Sequence, residues 1–393
     1  MGKFGWRAAT SQILRTRIRL SSTTIAFILM SAIFCTNCHR PYPDGEVPYR
    51  CPHCGGVYDF ETQPSFHREK VDYALPGIWR YRDAFGLTED APSISLGEGN
   101  TPLVWDDVQG HQVAFKLEYL NPTGSFKDRG TAVLVSFLMS RGVQSVVEDS
   151  SGNAGASLAA YAARSGLKAR IFVPDYASGP KREQIGVYGA ELTRILGPRS
   201  NAAEAVRRAA QEGAVYASHA YLPFGLTGLA TLAYELVEAL GSAPGSVIVP
   251  AGQGSLLLGI GRGFAALQQA GVVAKIPALV GVQARACAPL WALSVSGPAG
   301  LAWVSEGETL AEGIRIRHPV HGDAVYEMVE KNSGFFVAVD EEEILPGLEA
   351  LAQRGFYVEP TSAVVWSGLR QVIGNVPDPI VVVLTGSGFK STQ

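Results

Sequence analysis

One lysine of this sequence lies in surroundings that suit covalent chemistry. Lys127 follows the turn residues Pro122 and Gly124 in the stretch NPTGSFKDRG (121–130), and the residues behind it have helical spacing. A lysine in the first turn of a helix is close to the positive end of the helix dipole, which disfavours its ammonium form. If its pKa is lowered in this way and by burial, it can form a Schiff base with an aldehyde. The alternative is an exposed, solvated lysine.

Two loops that follow predicted buried strands contain small and hydroxylated residues. SSGNAGAS (150–157) places N–H groups at the start of a helix, where they can bind a carboxylate, and Asn153 can add a directed hydrogen bond. Taken alone, this loop is equally typical of an ordinary helix cap. LTGSG (384–388) ends a buried strand, and the hydroxyl of Thr385 can meet a heterocyclic nitrogen without carrying charge.

A third loop is suited to a phosphate group. In PAGQGSLLLGIGRG (250–263), Gly252, Gly254 and Ser255 precede a long apolar helix, so their amides can bind phosphate at its N-terminus. The loop is not a Walker loop, because no Gly-Lys-Ser/Thr follows, and a dinucleotide fingerprint is poorly matched. A Schiff-base lysine, a carboxylate site, a phosphate site and a neutral hydroxyl are together the set of groups that pyridoxal phosphate needs.

Four of the five cysteines form a separate motif near the start of the chain. They are spaced C-x2-C, twelve residues, C-x2-C, and they are Cys35, Cys38, Cys51 and Cys54. Two such turns can place four thiolates tetrahedrally around Zn²⁺, which predicts a closed, structural zinc ribbon over residues 35–60. The alternative is an incidental cysteine cluster. This cysteine usage is typical of a reducing compartment, and we expect a cytoplasmic protein.

The elements that must position these groups follow from composition and periodicity. The chain has 393 residues, of which 47% are hydrophobic and 18% charged, enough for a large buried core. From about residue 110, short β-branched runs alternate with alanine-rich amphipathic stretches, which predicts an α/β fold with parallel or mixed sheets covered by helices. The net charge of −3 gives no electrostatic reason to expect nucleic-acid binding.

The first 34 residues require a separate interpretation. They contain five basic residues and an apolar run, IAFILMSAIF, that is too short to span a bilayer. We expect residues 1–34 to be a leader or the product of a mis-set start, with Met30 as the true first residue. We expect no membrane association. Residues 61–100 read as a connecting segment with some helix.

The sequence resembles the fold-type II pyridoxal-phosphate enzymes, the tryptophan synthase beta family, and among them the threonine synthases. The motifs that carry the resemblance occur in one order over residues 93–393: SLGEGNTPL, NPTGSFKDRG, SSGNAGASLAAYAARSG, EPTSA and LTGSG. Some members of this family also carry an N-terminal zinc ribbon. The resemblance implies that residues 101–393 form two α/β domains with the cofactor between them, commonly in a homodimer.

The resemblance also implies roles for individual residues. Lys127 would be the Schiff-base lysine and the general acid/base, Asn153 would bond the phenolic oxygen of the cofactor, and Thr385 would face its pyridine nitrogen. The substrate carboxylate is expected near Ser151, Gly152 and Ala154. The cofactor phosphate is expected on Gly252, Gln253, Gly254, Ser255 and Leu256.

Two departures from the threonine-synthase pattern concern phosphate binding. The loop GQGSLLLG is nearer to the serine/threonine dehydratases, and PFGLTGLAT (223–231) has Gly225 and Ala230 where an arginine and a lysine tend to hold the substrate phosphate. A dianionic phosphate without cationic partners is poorly bound. We expect Arg315, with Arg317 beside it, to replace those cations.

The predicted function is that of a threonine synthase, which converts O-phospho-L-homoserine and water to L-threonine and phosphate. The alternatives are a serine/threonine ammonia-lyase, a cysteine- or cysteate-type β-replacement synthase, and a non-catalytic protein that keeps the fold. Two further residues have open interpretations. His219 is read as a structural histidine whose loop can border the site, and Glu359 either positions the substrate amine or caps an element.

Overall fold

The computed structural model describes residues 33–62, 64–175, 179–197 and 199–391. The predicted leader, with the suspected start at Met30, lies outside the described residues. The part of the chain that the structure describes contains no helix that is long and apolar enough to cross a membrane.

The N-terminal cysteine motif is built on a short antiparallel pair of strands. Strand β1, Ile33–Cys35, pairs with β2, Tyr58–Phe60. The connecting segment that follows contains two 3₁₀ helices, Arg68–Lys70 and Gly77–Phe85. The expectation of some helix between residues 61 and 100 is therefore confirmed, and the helices are of the 3₁₀ type.

The larger of the two main sheets has six strands in the spatial order β11-β10-β9-β12-β4-β3. Its strands are β3 (Leu103–Val108), β4 (His111–Leu117), β9 (Ser246–Pro250), β10 (Ala278–Ala284), β11 (Phe335–Val339) and β12 (Ile380–Leu384). All neighbouring pairs are parallel except the hairpin β3–β4. Every residue of β9, β10 and β12 is buried, because helices cover both faces of the sheet.

The smaller main sheet has four parallel strands in the order β7-β6-β5-β8. They are β5 (Ser145–Glu148), β6 (Lys168–Pro174), β7 (Glu191–Ile195) and β8 (Val215–Tyr216). The β-branched runs SVVEDSS (145–151), KARIFVP (168–174) and ELTRIL (191–196) contain three of these strands, and the parallel arrangement agrees with the prediction from the alternating pattern.

Ten α-helices connect and cover these strands in the described residues. They are α1 (Lys127–Ser140), α2 (Asn153–Ser165), α3 (Pro180–Val187), α4 (Arg199–Gln211), α5 (Gly225–Leu240), α6 (Ser255–Gln269), α7 (Pro289–Ser296), α8 (Gly322–Lys331), α9 (Ile344–Ala352) and α10 (Pro360–Val372). The amphipathic stretches over residues 154–166, 201–213, 227–240 and 341–354 all contain helices, as their spacing predicts.

Helices α1, α5 and α6 pack unusually close together because glycines line their contacts. A Cβ added at Gly228 of α5 would lie 2.1 Å from the carbonyl oxygen of Arg129 in α1. A Cβ at Gly263 of α6 would lie 2.4 Å from the carbonyl oxygen of Ala230. Glycine is required at both positions, and the close packing brings the N-terminal ends of the three helices together.

A buried guanidinium joins helix α1 to its neighbours. Arg129 is fully buried and donates two hydrogen bonds of 2.7 Å to the two carboxylate oxygens of Glu118, directly after β4. It donates two more, of 2.8 and 2.7 Å, to Glu235 of α5. Lys116 of β4 also donates to Glu235, at 2.7 Å. Two cations and two carboxylates therefore balance. Burial acts to raise the pKa of Glu118, but the charge and hydrogen bonds of Arg129, together with the charge of Lys116, lower it.

Replacing Arg129 with methionine is expected to lower the free energy of unfolding by about 3–5 kcal/mol, because two carboxylates would be left buried without their partner. Urea denaturation at pH 7 measures this. Arg285→Met is the matched control, since the ion pair between Arg285 and Asp340 is about half exposed and contributes at most about 1 kcal/mol. Equal losses in the two variants would contradict the proposed importance of the buried cluster.

Candidate active site

Lys127 is the first residue of helix α1, as the sequence predicts. The turn in front of it is held by the next residue, Asp128, whose carboxylate accepts hydrogen bonds from the N–H and hydroxyl of Thr123 at 2.7 and 2.6 Å. Asp128 also accepts one from Ser157 of α2 at 2.6 Å. The lysine is thereby fixed relative to both helices.

The loop after β12 is bonded directly to the lysine turn. Phe126 donates its N–H to the carbonyl of Thr385 at 3.0 Å, and Ser387 donates its N–H to the carbonyl of Gly124 at 3.0 Å. Thr385 is 3% exposed, and its own N–H donates to the Ser362 hydroxyl at 2.8 Å. The structure thus brings the predicted lysine and the predicted hydroxyl residue to one place.

Lys127 lines a cavity at the N-terminal ends of helices α1, α5 and α6. Thr131, His219, Gly225 and Ser255 line the same cavity. The remaining wall is formed by Gly130, Leu134, Leu226 and Leu229. Burial among these groups lowers the pKa of Lys127 to about 8, although the nearby carboxyl groups of Glu148 and Glu359 act in the opposite direction. The expectation of an activated rather than a solvated lysine agrees with this environment.

The glycine loop before α6 has the geometry of an anion site. Gly254 has φ of 75° and precedes the first residue of the helix, Ser255. A Cβ at Gly252 would lie 2.8 Å from the Cα of Ile314, so the loop backbone packs against that segment. Oε1 of the Gln253 side chain accepts a hydrogen bond from the N–H of Val320 at 2.9 Å. The predicted residue Leu256 is 3% exposed.

Asn153 begins helix α2 and points toward a buried carboxylate. Its Nδ2 donates to Glu359 at 2.7 Å, and its Oδ1 is buried without a hydrogen-bond partner among the described residues. Glu359 also pairs with Lys181 at 2.6 Å. A Cβ at Gly386 would lie 2.1 Å from Glu359, so only glycine fits there. Glu359 caps no N–H of α10 with its side chain and instead faces the predicted site.

The predicted carboxylate loop lies at the start of the same helix. Gly152 precedes α2 and donates its N–H to the Ser150 hydroxyl at 3.3 Å. Ser151 comes directly before Gly152, and Ala154 is the second residue of α2. A Cβ at Gly155 would lie 1.9 Å from the carbonyl oxygen of Ser150, which keeps the loop tight against the helix. The N–H groups of the first turn of α2 are the donors that a carboxylate needs.

Arg315 lies near the glycine loop, but its side chain is engaged elsewhere. The segment that contains it packs against Gly252. Its guanidinium donates to the carbonyl of Glu306 at 2.7 Å. Its proposed contact with a substrate phosphate stays a prediction.

Two residues near Lys127 were not predicted as parts of the site. Glu148, the last residue of β5, is 2% exposed, and His219 follows β8. Nδ1 of His219 lies 3.7 Å from Oε1 of Glu148. The signal available in the sequence was the position of Glu148, at the end of a buried strand and next to the SSGN loop.

The four cysteines near the N-terminus lie together. Their sulfur atoms are all within 4.8 Å of one another, with 3.4 Å between Cys35 and Cys54 and 3.6 Å between Cys38 and Cys51. All five cysteines of the chain are free thiols. Four thiolates around one zinc ion, each at about 2.3 Å, would have sulfur atoms about 3.8 Å apart, so the cluster fits this metal.

The cysteine unit is docked on the helices that form the cavity. Asp59 of β2 accepts two hydrogen bonds, of 2.8 and 2.6 Å, from Arg262 of α6. The ring of Tyr42 packs edge-on against Phe137 of α1 and Phe224, directly before α5. The unit therefore contacts all three helices whose N-terminal ends line the cavity.

Comparison with known proteins identifies the class to which this site belongs. The family model described as pyridoxal-phosphate dependent enzyme matches residues 94–386. The chain belongs to this family.

The relatives that the chain resembles are threonine synthases. The threonine synthase of Methanocaldococcus jannaschii is 33% identical over 374 residues, covering 91% of this chain and 92% of the relative. That of Mycobacterium tuberculosis is 34% identical over 328 residues, covering 80% of this chain and 89% of the relative.

Solved structures confirm the predicted fold. Maize serine racemase superposes with a TM-score of 0.64 at 22% identity, covering 73% of this chain and 88% of that protein. A fungal L-serine ammonia-lyase from Rhizomucor miehei superposes with a TM-score of 0.62 at 21% identity, covering 74% of this chain and 94% of that protein. The chain has the α/β fold of the fold-type II pyridoxal-phosphate enzymes.

The residues present fit the cofactor. Lys127 opens onto a cavity that also contains the N-terminal end of α6, where a phosphate can be bound. Asn153, the first residue of α2, has a buried oxygen without a partner and a second N–H group on Nδ2 that can bond a ligand. Gly252 and Gly254 let the loop pack against Ile314 and Val325, which fixes its position at the start of α6.

The lowered pKa of Lys127 predicts how its amine reacts. Only the neutral amine attacks an aldehyde or an arylating reagent, so the modification rate of the apoprotein should rise with pH around a midpoint of about 8, below the value near 10.4 of a free lysine. Trinitrobenzenesulfonate labelling with peptide mapping measures it. Lys331, an exposed lysine, is the internal control for the reactivity of the reagent. A midpoint for Lys127 near the value of a free lysine would contradict its activation.

Proposed function

We propose that this enzyme is a threonine synthase, which forms L-threonine and phosphate from O-phospho-L-homoserine and water. The observation that carries the proposal is the similarity to threonine synthases over 80–91% of the chain, combined with a lysine at the mouth of a helix-lined cavity. The motifs NPTGSFKDRG, SSGNAGAS and LTGSG, which are far apart in sequence, meet around that lysine.

Each part of the cavity has a proposed role. The cofactor phosphate is held by the N–H groups of residues 252–256 at the start of α6. Asn153 donates to the phenolic oxygen, and Thr385 meets the pyridine nitrogen as a neutral partner. The substrate carboxylate lies on the N–H groups of residues 151–154 at the start of α2.

Pyridoxal phosphate, when bound, supplies the aldehyde for Lys127 and a conjugated ring that accepts the electron pair left on Cα. Nζ of Lys127 takes the α proton and later returns a proton to that carbon. A lysine with a pKa of about 8 is well placed for both transfers near neutral pH, since both protonation states are accessible. The neutral Thr385 leaves the pyridine nitrogen unprotonated, which suits elimination and replacement more than reactions that need a strong electron sink.

One observation favours the second candidate, a serine/threonine ammonia-lyase. Among the described residues that line the cavity there is no arginine and no lysine other than Lys127, and Arg315 donates to the carbonyl of Glu306 instead. An amino acid without a phosphate group needs no further cation. We propose Arg315 as the phosphate partner of the threonine synthase, reached by rotation of its side chain away from Glu306.

The holoenzyme should release phosphate from O-phospho-L-homoserine with equal threonine, and should release little 2-oxo acid from L-serine or L-threonine. Colorimetric phosphate and coupled 2-oxo acid assays separate these outcomes. 2-Oxo acid without phosphate release would replace the proposal by the ammonia-lyase.

Lys127→Ala should lose the imine absorbance of the cofactor, at about 420 nm, and all turnover, because no other amine can take the role of Lys127.

We propose that the four-cysteine cluster binds one structural zinc ion and that residues 35–60 act as a docking unit for the catalytic region, residues 101–393. The sulfur separations and the bonds of Asp59 to Arg262 support this. Five free thiols support a reducing, cytoplasmic location. We further propose a homodimer, as is common for enzymes of this resemblance, with a small amino acid as the substrate.

Removing the metal is expected to weaken the docked unit. Cys51→Ser should contain less than one zinc ion per chain and should lower the Tm by about 5 °C or more, because the turns that carry Tyr42 and Asp59 lose their common anchor. His39→Asn is the matched control, since His39 is exposed and has a positive φ that asparagine tolerates. Metal analysis and calorimetry measure both variants. A zinc-free variant with an unchanged Tm would contradict the structural role.

A further inference from the structure

Two buried polar groups beside Lys127 have no assigned task. Oε2 of Glu148 and Nδ1 of His219 are both buried, and neither has a hydrogen-bond partner among the described residues. The two side chains approach to 3.7 Å between Oε1 and Nδ1, which is too long for a hydrogen bond. Leaving such groups unsatisfied costs about 1–3 kcal/mol each. Because these two groups lower the stability of the fold, we look for a function that explains their presence beside Lys127.

The position of the pair connects it to the proposed reaction. Glu148 ends β5 and directly precedes the loop that leads into Asn153, so it lies behind the proposed carboxylate site. His219 lines the same cavity as Lys127 and Ser255. The interpretation of His219 as a satisfied structural histidine is therefore replaced by that of an unsatisfied group on the cavity wall.

The chemistry of the cavity wall singles out the imidazole as a base. Among the described residues that line the cavity, Lys127 and His219 alone carry titratable side chains, and the rest are glycines, leucines and two hydroxyl residues. Lys127 is committed to the proton on Cα. Water that is to attack a carbon atom must lose a proton, and an imidazole nitrogen near neutrality is the usual acceptor.

The charges that face His219 keep it ready to accept that proton. Glu148 faces it from β5, Lys127 from α1 and Arg199 from α4. Burial, Lys127 and Arg199 together hold the pKa of His219 well below its usual value, so that the imidazole is neutral at pH 7. Burial and the neighbouring Asp149 raise the pKa of the Glu148 carboxyl group well above its usual value.

We propose that His219 is the catalytic base for the water molecule that becomes the hydroxyl group of threonine, and that Glu148 is its positioning residue. This inference rests on the threonine synthase function proposed above. In the step, one O–H bond of water breaks and its proton goes to the imidazole of His219, which lines the cavity. The oxygen forms a bond to Cβ of the substrate, the electron pair of the Cα–Cβ double bond moves to Cα, and Lys127 protonates Cα. Glu148 faces the resulting imidazolium, with its Oε1 3.7 Å from Nδ1.

This role determines which product leaves the enzyme. When water is not activated at Cβ, the unsaturated amino acid that remains after phosphate loss is released and hydrolyses to 2-oxobutyrate and ammonia. A base at the cavity wall therefore distinguishes a threonine synthase from an enzyme that yields 2-oxo acid. The distinction is made after phosphate has left, so it can be measured separately from phosphate release.

The test compares His219→Asn with wild type, both as holoenzymes with O-phospho-L-homoserine. Asparagine can hold water but cannot accept its proton, so the ratio of threonine to phosphate should fall about tenfold or more, with 2-oxobutyrate in its place. Glu148→Gln should lower the ratio by a smaller factor. A merely structural role would lower all products together. His67→Asn, a half-exposed histidine paired with Asp83, is the control and should keep the wild-type ratio.

The possible results distinguish the two proposals. If wild type releases no phosphate from O-phospho-L-homoserine, the proposed function fails and this inference fails with it. If wild type forms threonine and phosphate and His219→Asn keeps the same ratio, the inference alone is overturned.

The cofactor dissociation constant of the apoprotein, followed by fluorescence, should stay within about twofold in His219→Asn, since the imidazole is not proposed to hold the cofactor.

A measurement without turnover tests the same residue. In apoprotein labelled with ¹³C-histidine, the NMR signal that disappears in His219→Asn should report a neutral imidazole at pH 7. An imidazolium at pH 7 would overturn the inference, because a protonated ring cannot take a proton from water.

Discussion

The buried guanidinium of Arg129 is the interaction on which the arrangement of this enzyme depends. It lies two residues after the lysine of the active site and is bonded to one carboxylate directly after a strand of the large sheet and to another in helix α5. Such a cluster costs a great deal to desolvate and is stable only when every partner is in place. Because every partner of Arg129 must be in place, the cluster fixes the position of helix α1 against its neighbours. It thereby also fixes the position of Lys127 at the start of that helix.

The site is formed where the N-terminal ends of three helices meet. Helices α1, α5 and α6 can approach closely because glycines line their contacts, and their N-terminal ends then surround one cavity. Positive helix ends favour the phosphate and carboxylate groups of the ligands and disfavour an ammonium ion. The same geometry thus suits the binding of anions and disfavours the charged form of the lysine. The cysteine unit contacts all three helices through Asp59 and Tyr42, which connects the four-cysteine cluster to the packing of the helices around the cavity.

Much of the architecture was predictable from local patterns. Three strands of the small sheet, β5, β6 and β7, and the helices over 154–166 and 227–240 have short β-branched runs or amphipathic spacing, and the structure contains them. The two-residue strand β8 and the hairpin of β3 and β4 were not predicted; β3 is largely exposed and lacks a regular alternation of apolar and polar residues. Helix α10 was also missed: it begins at Pro360 within EPTSA, which was recognised as a motif and not as the start of a helix. The roles of Gly252 and Thr385 stay predictions, although the structure places both beside the groups that such roles require.

The residue types and spacing were sufficient for the class of cofactor and the α/β fold. They also predicted that Lys127 begins a helix, because a helix start after a glycine turn is a local property. The pair of Glu148 and His219 was beyond the reach of the sequence, since the two residues are far apart along the chain and meet only when β5 and β8 lie side by side. The same holds for Glu359, which reaches Asn153 and Lys181 across the two sheets. Burial and charge acquire their effect on pKa and reactivity from such long-range neighbours, and these are set by the packing of the whole chain.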